Sequence, residues 1–152
     1  MASQMELIVD QMNRAFRGEA WHGPSLMEAL AGVSAATAAK RSLPGAHTIW
    51  ELLLHATVWK RTVQRRLNGE ALEPVGADNF PPMPNPTAEN WAAAIGELNR
   101  AHDSLVQTFR ALDPERLRAT VPGKDYNVEF MMLGTVQHDC YHGGQIAIMK
   151  KQ

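Results

Sequence analysis

Six histidines are the residues whose type and spacing could do chemistry in this chain: His22, His47, His55, His102, His138 and His142. Two of them form an H-x-x-x-H motif, His138-Asp139-Cys140-Tyr141-His142. Four residues apart on a helix, two imidazoles project from one face within reach of each other. One helix can supply two ligands to a single metal ion in this way. No Glu follows the first histidine, which excludes a zincin-type protease. His55 lies in Leu52-Leu53-Leu54-His55-Ala56, and Leu52 and Trp59 share its helical face. A histidine in an apolar stripe must find a partner, because a buried polar group left unsatisfied is destabilising. Asp139 and Cys140 sit about 100° and 200° around the helix from His138 and point away from the motif's face. The residues alone leave two readings open. One is a three-histidine site for a divalent metal; the other is a polar bundle core with some histidines on exposed faces.

The elements that must position these side chains are helical, since apolar residues recur at helical spacing and almost nowhere alternate. A first long segment runs from about Gln4 to Arg17, with Leu7, Ile8, Met12, Ala15 and Phe16 on one face and Gly18 at its end. Ser25-Leu26-Met27-Glu28 reads as a capping box for a short helix through about Ala31, and a second short one spans about Ser34–Lys40. Thr48, with Glu51 three residues on, caps the second long helix, which runs to about Asn68. Thr87 caps the third, ending near Leu112 before Asp113-Pro114; the fourth runs from about Asn127 to Lys150. Four long helices without a strand signal give an all-α four-helix bundle, one domain over residues 1–152.

Between the second and third long helices lie about 18 residues, including Pro74, Pro81, Pro82, Pro84 and Pro86. Extended, that length spans up to ~60 Å, against a helix about 30 Å long. It can return along the whole bundle, which makes these helices parallel and the course up-down-down-up, with long crossover connections. The second and fourth helices are then antiparallel, and His55 falls at the height of His142 with His138 one turn away.

With 152 residues, 45% hydrophobic and 20% charged, the chain can bury a core without disulfides. The formal net charge of −1 provides no electrostatic footprint for nucleic acid. Cys140 is the single cysteine, which suits a reducing compartment. The first residues do not read as a signal peptide and no window is apolar enough to span a bilayer, so the expected location is cytoplasmic, without membrane or nucleic-acid partners.

Three stretches together resemble the DinB-like superfamily: Trp21-His22-Gly23-Pro24-Ser25-Leu26, Pro44-Gly45-Ala46-His47-Thr48-Ile49-Trp50-Glu51-Leu52 leading to His55, and Gln137-His138-Asp139-Cys140-Tyr141-His142-Gly143-Gly144-Gln145-Ile146. Their order and spacing fit over essentially the whole chain. The resemblance implies an up-down-down-up bundle, commonly a homodimer, that holds a divalent metal through one histidine of the second long helix and the H-x-x-x-H pair of the fourth. By position these ligands are His55, His138 and His142. The resemblance implies nickel or zinc foremost, with manganese or iron as further candidates. Characterised relatives include bacillithiol- and mycothiol-dependent S-transferases and a maleylpyruvate isomerase that uses mycothiol. The expected function is therefore a metal-dependent transferase that activates a low-molecular-weight thiol for attack on an electrophilic small molecule. The alternatives are a metal-dependent hydrolase that acidifies water, or a non-enzymatic metal-binding stress-response module.

His22, beside Trp21 in the turn after the first helix, is a candidate to line the pocket mouth and shuttle protons. Gln145 shares the histidine face one turn on and is a candidate to hold water or substrate. Glu51 either orients His55 or caps its own helix through Thr48. Lys60, Arg61, Arg65 and Arg66 form a basic patch that reads as a solvated face, or else as a landing site for an anionic thiol. Gly143-Gly144 gives room either for the metal or for a neighbouring helix.

Overall fold

A computed structural model describes residues 3–152. Among the described residues there are six α-helices: α1 (Gln4–Arg17), α2 (Leu26–Leu30), α3 (Ala35–Ala39), α4 (Ile49–Leu67), α5 (Ala88–Arg110) and α6 (Val128–Met149). Short 3₁₀ turns add Gly76–Asp78 and Pro114–Arg118. Among the described residues the only β-pairing is an isolated bridge, Thr120 to Asn127. The fold is an all-helical bundle. No helix among the described residues is long and apolar enough to cross a membrane.

The helix starts follow local chemistry. Ser25 with Glu28, and Thr48 with Glu51, each close a capping box in which the hydroxyl accepts an N–H and the carboxylate reaches back. Thr87 and Asn127 accept the N–H of Asn90 and Phe130. Each cap satisfies backbone donors that the first turn leaves without partners. The apolar stripe of α1 is Met5, Ile8, Val9, Met12, Ala15 and Phe16. Leu7, expected on that face, is half exposed, because position 7 lies about 100° from position 8.

Side-chain partners give the helix directions. Trp50 packs on Trp91, Arg61 pairs with Glu97, and Gln64 donates to the Ser104 and Thr108 hydroxyls. Residue numbers rise together along α4 and α5, so the two run parallel. His55 near the start of α4 meets His138 in the second half of α6, and Arg66 at the end of α4 meets Tyr126 just before α6 begins. Numbers fall on the α6 side, so that pair is antiparallel. Arg110, His102 and Asp103 on α5 meet Glu6, Asn13 and Arg17 on α1, again in opposite order.

The core divides in two. One apolar cluster gathers Phe16, Leu26, Trp50, Leu53, Trp91, Leu98 and Ile146. The other gathers Val9, Met12, Leu105, Phe109 and Met132. Buried polar residues stand on the helices that run through both clusters: His55, Lys60, His102, Asp139 and His142. Polar groups persist there because nearly all of them find partners. Lys60 Nζ donates to both Asp139 oxygens, at 2.9 and 2.7 Å, and lies 4.6 Å from the centre of the Phe16 ring. His102 stacks on Phe16 and donates from Nε2 to Asn13 Oδ1 at 3.0 Å.

The basic patch expected on the second long helix is thereby split. Arg61 and Arg65 are exposed and paired with Glu97 and Glu70. Lys60 and Arg66 are buried, because their positions turn inward toward α6.

Candidate metal centre

His55 leaves α4 and His138 and His142 leave α6 at one height, and their ring nitrogens converge. His138 Nε2 lies 3.1 Å from His55 Nε2 and 3.1 Å from His142 Nε2. One nitrogen from each ring fits within a 4.8 Å cluster. Two nitrogens bound tetrahedrally to one zinc-sized ion sit roughly 3.3 Å apart, so the spacing suits a shared cation.

Hydrogen bonding on the outer side of the rings decides which nitrogens face inward. His55 Nδ1 donates to the Asn79 backbone oxygen at 3.0 Å. His142 Nδ1 donates to Gln145 Oε1 at 2.6 Å. Both rings therefore carry their proton on Nδ1 and present the Nε2 lone pair to the centre. His138 Nε2 faces both lone pairs, and one N–H cannot donate well to two acceptors at once. A cation at the centre satisfies all three nitrogens together. The residues present fit a divalent metal.

Charge points the same way. Burial holds the His55 and His142 imidazoles below the ordinary histidine range. Burial, then the neighbouring His142, His55 and Lys60, pushes His138 down to about 3. All three are neutral at pH 7, the form that ligates metals.

The cluster forms one wall of a cavity of about 540 Å³ between α4, α6 and the 71–87 connection. Trp59, Phe80, Phe130, Tyr126 and Tyr141 line it with aromatic surface. Phe80 is stacked between His47 and His55, with ring centres 3.7 and 4.1 Å away.

The family model of the DinB superfamily matches residues 20–146. The chain belongs to the DinB superfamily. No curated protein and no solved structure matches it. Within this DinB-superfamily chain, the histidines brought together are the three that the resemblance picks out by position.

Other expected residues fall elsewhere. His22 is absent from the cavity wall; it is exposed, and its Nδ1 lies 3.6 Å from Cys140 Sγ on another face of α6. Gln145 touches His142 and thus orients a ring. Glu51 caps α4 and pairs with Arg41 and His47, leaving His55 to Asn79. The two glycines differ in role. A Cβ on Gly143 would meet the α2 backbone at Leu26, 3.6 Å away, whereas one on Gly144 would meet nothing within 4 Å.

Asn79 and Phe80 also belong to the site. They sit in the Pro-rich connection, whose length demanded a purpose but whose sequence carries no ligand-like motif. Asn79 also accepts the Trp59 indole N–H on Oδ1, tying the connection to α4 twice. The Lys60–Asp139 pair likewise has no local sequence signal, because it joins two helices distant in sequence.

Proposed function

We propose that the protein binds one divalent ion through His55, His138 and His142, zinc or nickel foremost and manganese or iron next. At this site it transfers a small thiol to an electrophilic small molecule. The observation that carries this reading is three imidazole Nε2 atoms converging on the wall of an aromatic-lined cavity. Bound there without an anionic ligand, a divalent ion keeps its full charge and lowers the pKa of a thiol presented to it. Asn79 and Gln145 lock the two outer rings, so the site needs little rearrangement to bind. Phe80 and Trp59 keep water away from one side of it. Hydrolysis would need a free general base. Asp139, the sole carboxylate on the cavity wall among the described residues, is held by Lys60. That argues against a hydrolysis assisted by a carboxylate on this wall.

The test is metal content by mass spectrometry after reconstitution with zinc or nickel, followed by a thiol-conjugation assay with monobromobimane. One ion per chain in wild type and none in His55→Ala or His138→Ala, with conjugation that follows the metal, supports the reading. Equal metal in all three proteins would overturn it. The proposal includes action in the cytoplasm and a homodimer. Phe130, Leu133, Tyr141 and Ile148 leave an exposed apolar stripe along α6 that suits a second copy. A monomeric mass in light scattering at micromolar concentration would remove the dimer.

A further inference from the structure

Arg66 has no part in the metal reading, yet it helps to wall the same cavity. Its side chain is only 2% exposed. Nε and Nη2 donate to the Leu72 carbonyl at 3.1 and 2.8 Å, Nη2 also to Glu73 Oε2 at 2.8 Å, and Nη1 to Tyr126 Oη at 3.1 Å. A guanidinium has five N–H donors. Four are used, and one Nη1 hydrogen has no acceptor among the described residues. The Tyr126 hydroxyl accepts from Arg66, and its own proton likewise has no acceptor among them. Two adjacent donors on the cavity wall are thus unspoken for.

The charge there is positive. Glu73 answers Arg66 but is shared with Lys124, so two cations face one carboxylate. Lys60, the other cation on the wall, has its charge answered by Asp139, which takes two of its three N–H groups, and it lies over the Phe16 ring.

Arg66 lies eleven residues after His55 on α4, about 16 Å along the helix axis. Trp59, Val63, Phe130 and Met131 line the stretch between. On that apolar stretch a polyhydroxylated body would lose much of its water for few partners, chiefly Asn79 and Thr135. An apolar body would not.

We propose that Arg66 and Tyr126 form a second ligand-binding end of this cavity. Its occupant is an elongated apolar carboxylate, with the carboxylate on Arg66 Nη1 and Tyr126 Oη and the far end directed to the histidines. The proposal deepens the functional reading and rests on it for what happens at the far end; the anchoring itself requires no metal.

Calorimetric titration with phenylhexanoate and with phenylhexanol, the same chain without the charge, tests it. The proteins are wild type with zinc, metal-stripped wild type, His138→Ala and Tyr126→Phe. The carboxylate should bind about tenfold or more tightly than the alcohol in the first three, the worth of a charge-assisted hydrogen bond. Tyr126→Phe keeps the ring and removes one donor. It should narrow the preference to about threefold or less while alcohol binding stays unchanged. Equal binding of acid and alcohol overturns the proposal. So does a preference confined to zinc-loaded protein, which would place the carboxylate on the metal. An unchanged preference in Tyr126→Phe does the same. A failed metal reading looks different: no ion retained, with the carboxylate preference intact.

Discussion

Gln145 shows how much a single hydrogen bond can decide at the site. It donates nothing to an ion, but by accepting the His142 Nδ1 proton it turns that ring's lone pair inward. Gln145→Leu should lower metal affinity by roughly 10–100-fold, and Gln145→Glu, which keeps an acceptor, should recover most of it. Competition against a chelating dye measures both; equal affinity in wild type and Gln145→Leu would show that the ring needs no such support. His102 acts on stability. Burial, then Lys60 and Arg17, holds its pKa down to about 2, against 6.5 for the ordinary side chain. The folded chain thus binds fewer protons than the unfolded one below pH 6.5. The stability carried by neutral His102 is complete above that pH and is lost as the pH falls toward the folded value. Between pH 7 and 5 the loss is about 2 kcal/mol. Urea unfolding of His102→Gln should show a drop that is smaller by about that amount, and an identical drop would mean that His102 does not carry it.

At the scale of elements, α6 does three things at once: it carries two of the three clustered histidines, packs on α2 at Gly143 and presents an exposed stripe. The glycine pair divides two of these demands. Gly144 meets open space, so Gly144→Ala should stabilise the protein by about 0.5–1 kcal/mol through helix propensity alone, with metal content unchanged. A thermal melt alongside metal analysis checks this. Gly143→Leu should do the reverse, forcing α2 away from α6. The 71–87 connection is the other element with a clear task. Pro81 and Pro82 stiffen the chain directly after Asn79 and Phe80, the two residues that close over His55.

Across the whole molecule, the Lys60–Asp139 pair ties α4 to α6 beside the histidine cluster. Both groups are nearly inaccessible, so each depends on the other for solvation. Lys60→Met leaves a buried carboxylate alone and should cost about 3–5 kcal/mol, whereas Lys60→Met with Asp139→Leu should recover most of it. Chemical denaturation of the single and double variants gives the coupling. Additive losses would show that the two groups act separately.

Much of the bundle could be read locally. Helix periodicity, the two capping boxes and the stop signals depend on residues within a turn or two of one another, and they appear where the sequence places them. The H-x-x-x-H geometry is local for the same reason. His55 joined the pair through an argument about height, which needed only helix rise and the length of one connection. The sequence by itself thus determined the helices, their caps and the shared height of His55 and the H-x-x-x-H pair, while the three-histidine set came with the family resemblance. Tertiary structure alone decided what surrounds them: Asn79 and Phe80 over His55, Lys60 inside against Asp139, Arg66 on the cavity wall, and His22 turned toward Cys140. Those placements depend on the rotation of each helix about its own axis and on where a long loop comes to rest. Both are set by packing across the whole core, to which residues near in sequence contribute only part.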